Sequence, residues 1–254
     1  MKQFRLPNFI IGGAPRSGTS WLYTLLDNHP KICMAKPRQP EPKFFLVDEL
    51  YSSGIDYYAK TWFSQNQSCM FGEKSTNYLE SKIAAYRIYK HIPTIKLIFI
   101  LRNPIYRAFS NYLWSCMNGL EKENFIKALH LEEKREKNVS ERFKYSRPHA
   151  YFSRGLYAEL LQPYYKYFQK EQILCLKFED IIERPNKISK TVCHFLQIDS
   201  NHKSADKIGI INPSKKNDMS MSDEAYYYLL DRYKEPNLSL ANLLGPEFKV
   251  WNYE

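Results

Sequence analysis

Glycine is scarce in this chain. There are nine in 254 residues, about half the ordinary usage of ~7%, so a cluster of them marks backbone that needs freedom. Long apolar runs are missing as well. The longest, Ala225–Leu230, has six residues, where a membrane-spanning helix needs roughly 20. The first residues, Met1-Lys2-Gln3-Phe4-Arg5, lead only into Phe9-Ile10-Ile11, short of the ~7–15 apolar residues of a signal-peptide core. Repeats and low-complexity tracts do not occur, and 44% hydrophobic residues is too many for a disordered chain. The five cysteines, Cys33, Cys69, Cys116, Cys175 and Cys193, include no C-x-x-C pair. Their odd, scattered placement predicts neither a disulfide framework nor a zinc site. Together these readings predict a cytoplasmic, reducing location with no transmembrane segment.

Charge is present in excess of one sign. Lys and Arg number 37 and Asp and Glu 27, a net charge of +10. Such a balance suits an anionic partner: nucleic acid, membrane surface, nucleotide or acidic glycan. It equally suits a solvated basic surface. No block of five like charges exists, so a nucleic-acid-binding tail is not expected.

Apolar patterning alternates between strand and helix. Phe9-Ile10-Ile11 reads as a buried strand ending at Gly12-Gly13. Trp21, Leu22, Leu25 and Leu26 then recur at helical spacing up to Asn28-His29-Pro30. Pro30, Pro37, Pro40 and Pro42 mark an irregular loop. Tyr57, Tyr58 and Trp62 suggest a short helix, and Cys69-Met70-Phe71 a short strand ending at Gly72-Glu73-Lys74-Ser75. A helix over 81–91 leads to Lys96–Leu101, whose unbroken apolar run suits a parallel strand covered on both faces. Pro104 opens the next helix. Residues 121–147 are dense in charge and read as a solvated helix and loop, a lid-like insertion spanning about 119–150. Further segments are a helix over 156–168, a strand over 172–178, a helix over 188–196, and two tail helices, 226–233 and 238–244. This alternation predicts an α/β fold with a doubly wound, mostly parallel sheet in one domain over 1–254. Ligands then bind at the carboxyl ends of strands, in the loops 12–20, 72–77 and 102–110.

Three of the nine glycines, Gly12, Gly13 and Gly18, fall in the first of those loops. In Gly13-Ala14-Pro15-Arg16-Ser17-Gly18-Thr19-Ser20 the backbone N–H groups can close on an anion at a helix N-terminus. The spacing approaches the phosphate-binding G-x-x-x-x-G-K-[ST] loop, but Thr19 stands where its lysine belongs. The cation is Arg16 instead, placed before the second glycine. In the third loop, Arg102 at a strand end and Ser110, two turns into the next helix, can converge on one anion; Arg102 in a surface ion pair is the plainer alternative. In the second, Glu73 is a carboxylate placed to act as a general base or to sit as an ordinary surface acid.

These segments resemble the sulfotransferases that use 3'-phosphoadenosine 5'-phosphosulfate, and among them the glycan-modifying, heparan-sulfate-type branch. Residues 15–22 are similar to the family's 5'-phosphosulfate loop, 102–110 to its 3'-phosphate motif, and Glu73-Lys74-Ser75 to the glutamate-bearing segment of that branch. Arg154–Tyr157, Phe178-Glu179-Asp180 with Arg184-Pro185, and the tail from Asn212 through Trp251 extend the likeness. It implies a three-layer fold like that of the P-loop NTPases, with helices on both faces of the sheet. It implies that Arg16, Ser17, Gly18, Thr19 and Ser20 hold the 5'-phosphosulfate and that Arg102 and Ser110 hold the 3'-phosphate. Trp21 would pack near the adenine or in the core, and Lys215 and Lys216 would close over the donor. Glu73 would be the base. The family often has lysine where Arg16 stands; arginine stays charged and stabilises the leaving phosphate without donating a proton.

The implied reaction is an in-line sulfuryl transfer to an acceptor hydroxyl, catalysed by position and charge. It releases adenosine 3',5'-bisphosphate and calls for no metal. Lys36, Lys43 and Phe44 in the proline-rich loop would face the acceptor, best read as a saccharide. A hydroxylated lipid, a polyketide or another small metabolite is the alternative. From other classes come a P-loop NTPase, which the absent lysine opposes, and a non-catalytic basic nucleotide- or nucleic-acid-binding protein, which would bind DNA or RNA with steep salt dependence.

Overall fold

The computed structural model describes residues 5–63, 69–200, 205, 208–209 and 219–251. Along the chain run β1 (Phe9–Gly13), α1 (Thr19–Asp27), β2 (Ile32–Met34), α2 (Asp48–Ser52), α3 (Ile55–Trp62), β3 (Met70–Lys74), α4 (Lys82–His91) and β4 (Lys96–Leu101). There follow α5 (Pro104–Met117), α6 (Phe125–Lys137), α7 (Tyr157–Tyr167), β5 (Ile173–Lys177), α8 (Phe178–Glu183), α9 (Pro185–Leu196) and α10 (Asp223–Leu244). The chain forms two compact units, one of residues 1–101 and 163–212, the other of 102–162 and 213–254. No shift in composition marks this division.

The first unit carries a five-stranded sheet in the order β2-β3-β1-β4-β5, every neighbouring pair parallel. Its strands read as apolar runs because both faces are covered. On one face Phe9, Ile11, Ile98 and Ile100 pack with Leu22, Leu26, Val192 and Leu196 of α1 and α9. On the other, Phe99 meets the Tyr164 ring with centroids 4.8 Å apart, and the Tyr164 hydroxyl donates to the Tyr78 carbonyl at 2.5 Å. This is the helix-flanked parallel sheet that the alternation predicts. The connection after β1 leads toward β2 and that after β4 toward β5. The carboxyl ends of β1 and β4 therefore frame the topological switch point.

The second unit is helical. Ile105, Ala108 and Tyr112 of α5 share a core with Phe125 and Leu129 of α6 and Leu229 and Tyr233 of α10. Asn103 caps α5 by accepting from Ile105 N at 3.0 Å, with Pro104 in the first turn.

Three expectations are corrected and one is qualified. Ile32–Met34, placed in an irregular loop by its flanking prolines, is a strand, because β3 offers it an open edge through Ile32↔Met70 and Cys33↔Phe71. Cys33 and Cys69 form a disulfide, with Cα atoms 5.9 Å apart, because that pairing brings distant cysteines together. The charge-dense segment is solvated on its outer side, with Glu133, Lys137 and Glu141 exposed, but it is also fastened from within, which its composition did not indicate. Buried Glu121 takes Arg135 at 2.5 Å and the Tyr151 hydroxyl at 2.8 Å, and Glu132 accepts the N–H groups of Phe152 and Ser153. The two tail helices are one, running through Pro236. The stripe Tyr233, Asn237, Leu240 and Ala241 stays buried across the proline, which outweighs the one lost hydrogen bond.

Candidate active site

The loop between β1 and α1 is built around glycine. Gly13 has φ +153° and a Cβ there would lie 2.8 Å from Leu79 Cβ and 2.9 Å from the Thr76 carbonyl oxygen. Gly18 has φ +86°, and a Cβ there would lie 2.9 Å from Phe178 Cδ2. Arg16 also has positive φ, at 67°, an uncommon conformation for a residue with a side chain. Gly18 is the N-cap of α1, no side chain caps that helix, and its first turn has no acidic residue. The first N–H groups of α1 therefore keep their donor capacity and the positive end of the helix dipole.

Ser17 lies inside this loop at 0% exposure, and its Oγ has no hydrogen-bond partner among the described residues. A buried hydroxyl without a partner carries a desolvation cost, which an anion in the loop would remove. Beside Gly18 and Trp21 opens a cavity of about 450 Å³, walled further by Phe178, Ile181 and Ile208. Trp21 thus serves the core cluster and this cavity together. The loop and cavity fit a nucleotide's phosphate and its ring system.

Glu73 is part of β3, not of the loop after it, opposite Ile10 of β1. It is fully buried, and its Oε2 accepts the Tyr58 hydroxyl. Burial pushes its carboxyl up to about 7, opposed by the hydroxyls of Ser75, Tyr58 and Tyr78. Phe44 stacks on Tyr58 at 4.5 Å and Phe45 packs edge-on at 5.2 Å. Phe44, expected to face an acceptor, is therefore a core ring at 1% exposure.

Sequence reasoning missed Glu41. Its carboxylate holds Lys74 Nζ at 2.5 Å and accepts Thr76 N at 3.0 Å, so the residues leaving β3 are clamped to the proline-rich loop. Both ends of the ion pair are buried. The Pro40-Glu41-Pro42 context is the only local signal, and it does not point to a distant lysine. In the same loop Lys43 N donates to Ser75 Oγ at 2.9 Å. Lys36 is exposed and pairs with Asp27.

In the second unit the backbone of Arg102 is pinned by Tyr157, whose hydroxyl donates to the Arg102 carbonyl at 2.8 Å. Ser110 is buried on α5. Lys215 and Lys216 lie outside the described residues.

A family model described as the sulfotransferase domain matches residues 6–226. The chain is 24% identical, over 97% of its length and 67% of the other protein, to the membrane-associated sulfotransferase kil1 of Dictyostelium discoideum. It is 32% identical to heparan sulfate glucosamine 3-O-sulfotransferase 5 of Mus musculus, over 76% of this chain and 54% of that one. The chain thus spans about half the length of this mouse relative. Among solved structures it superposes on a sulfotransferase from Alicyclobacillus acidocaldarius with a TM-score of 0.82 and 26% identity, covering 98% of this chain and 100% of that one.

Proposed function

This chain belongs to the sulfotransferase domain family, and from that premise we propose that it moves a sulfuryl group from 3'-phosphoadenosine 5'-phosphosulfate to a hydroxyl of a saccharide. The observation that carries the donor is the buried Ser17 hydroxyl, without a partner among the described residues, in a glycine-framed loop at a helix start that no side chain caps. When bound, the donor supplies an activated sulfuryl group and a phosphate leaving group. Residues 16–20 hold its 5' end, with the Arg16 charge and the N–H groups of α1 stabilising negative charge that grows on that phosphate. Arg102 and Ser110, in the segment that resembles the 3'-phosphate motif, hold the 3'-phosphate. The cavity beside Gly18 and Trp21 takes the nucleoside.

The saccharide acceptor is supported by the 32% identity to a heparan sulfate sulfotransferase and by the net charge of +10, which suits an acidic glycan. The acceptor's proton goes to a carboxylate at the end of β3. Glu73, raised to about 7, has the affinity that a base needs near neutral pH. Glu41, which reaches the same strand end from the proline-rich loop, is a second candidate carboxylate, since Oε2 of Glu73 is taken by Tyr58 while its Oε1 has no partner among the described residues.

Calorimetric titration with adenosine 3',5'-bisphosphate beside 5'-AMP tests the donor. Binding that requires the 3'-phosphate and weakens in Arg102→Ala supports it; equal or absent binding of the two nucleotides overturns it. Sulfate transfer to heparan-type oligosaccharides by Glu73→Gln and Glu41→Gln then decides the base, which is the residue whose replacement abolishes turnover while nucleotide binding persists.

A further inference from the structure

Helix α4 buries one side, Ala84, Ala85 and Ile88, in the core of the first unit. Its other side should be polar if it faced only water. It is not. Ile83 is 56% exposed, Tyr86 50% and Tyr89 41%. Tyr167 at the end of α7 extends this surface, stacked on Tyr89 at 5.4 Å and tilted against Tyr86 at 5.9 Å. Four exposed lysines lie close in sequence to these residues: Lys82 and Lys90 on α4, and Lys166 and Lys170 on either side of Tyr167. The Lys166 ammonium stands 5.7 Å above the Tyr167 ring. The ten residues of α4 include no acid. Its remaining cation, Arg87, is turned away and occupied by Asp48 at 2.7 Å. Two acids adjoin the patch in sequence, Glu171 next to Lys170 and the half-buried Glu80 two residues before Lys82.

We propose that this face of α4 and the adjoining end of α7 docks on an anionic lipid bilayer. The two halves of the surface match the two layers of such a membrane. Tyrosine rings settle at the headgroup level, where an apolar body and a polar tip are both satisfied. Lysines around them meet the negative surface potential while their stems lie along apolar surface. Ile83 separates this reading from a purely ionic one. A polyanion gives an exposed isoleucine nothing to bind, whereas the acyl boundary removes it from water. The inference does not depend on the donor or acceptor proposed above, since vesicle binding is measured without either.

The test is co-sedimentation of the whole chain with vesicles of phosphatidylcholine alone and of phosphatidylcholine mixed with phosphatidylserine. Wild type is expected to pellet with the phosphatidylserine vesicles, to stay in solution with phosphatidylcholine alone, and to be released by salt. The combined variant Lys82→Gln, Lys90→Gln, Lys166→Gln, Lys170→Gln, and separately Ile83→Ser with Tyr86→Ser, should each lose about tenfold or more in partitioning. Both should keep the wild-type melting temperature and affinity for adenosine 3',5'-bisphosphate. If the double apolar variant unfolds, Ile83→Ser alone carries the test. The proposal is overturned if wild type remains in solution with anionic vesicles, or if either variant partitions as wild type does. It is also overturned if heparin, and not vesicles, is bound in a way that needs the lysines but not Ile83. Self-association through the patch, seen as a wild-type dimer that Ile83→Ser returns to monomer without any vesicle binding, overturns it too.

Discussion

The Tyr58 hydroxyl donates to Glu73 Oε2 where neither residue meets solvent. That bond favours the ionised carboxylate, while burial favours the protonated one and prevails, raising the group from an ordinary 4.5 to about 7. The folded chain therefore holds a proton that the unfolded chain has released between those two values. Stability from this group is fully present below pH 4.5 and is lost as pH rises through about 7. The difference amounts to roughly 3 kcal/mol. Thermal melts from pH 5 to 8 should show the wild type losing ground against Glu73→Gln, whose side chain does not titrate. Parallel curves for the two proteins would refute the shift.

Tyr58→Phe removes the donor and leaves the ring. The carboxyl of Glu73 then moves further upward, and the fall in stability shifts to higher pH. If Glu73 is the base, the rising limb of the pH–rate profile shifts the same way. Melting curves and single-turnover rates across pH read the two effects separately.

Ser17→Ala tests the phosphate loop without disturbing it. The hydroxyl has no partner among the described residues, so its removal should leave urea stability unchanged or slightly improved. Affinity for adenosine 3',5'-bisphosphate should fall about tenfold, the worth of a hydrogen bond to a charged group. Gly18→Ala should behave in the opposite way. A Cβ 2.9 Å from Phe178 at φ +86° strains the free protein, and the loss should appear first as about 1 kcal/mol or more of stability.

The Lys74–Glu41 pair is buried at both ends. Glu41→Gln leaves an ammonium without its counter-charge and should cost about 3–5 kcal/mol in urea denaturation. The double replacement Glu41→Gln with Lys74→Met should recover most of that. An additive double mutant would mean that the two side chains are not coupled.

Reduction of Cys33–Cys69 should lower the melting temperature, because the bridge closes a loop between positions 36 apart in sequence. A loss of about 2–4 kcal/mol is expected. Cys33→Ser with Cys69→Ser should melt like the reduced protein and ignore reductant.

Elements with a local cause were legible. The run Lys96–Leu101 declared a doubly covered strand, Asn103-Pro104 declared a helix start, and the glycines around Arg16 declared an unusual loop. What escaped depends on partners far along the chain. Ile32–Met34 is a strand because β3 lies beside it, and Cys33 meets Cys69 for the same reason. Glu41 finds Lys74 across the end of β3, and no periodicity encodes that. Phe44 looked available for an acceptor because it follows Lys43 in a proline-rich stretch. The Tyr58 ring that covers it comes from α3. The acids of residues 121–137 looked solvated because charge dominates the composition. Two of them, Glu121 and Glu132, are spent on Arg135, Tyr151 and backbone N–H groups.

The strand order has a consequence for synthesis. β1 sits at the middle of the sheet, paired with β3 through Phe9↔Gly72 and with β4 through Phe9↔Lys96. It leaves the ribosome before either neighbour exists. Until they emerge, Phe9-Ile10-Ile11 is an apolar edge with nowhere to pair, the kind of segment that nascent-chain chaperones cover. The loop around Arg16 is made before the groups that hold Gly13 and Gly18, around Leu79 and Phe178, and can take its shape only when they arrive. A translation pause before β4 would prolong that exposure, and the yield of folded protein should be most sensitive to codon choice there.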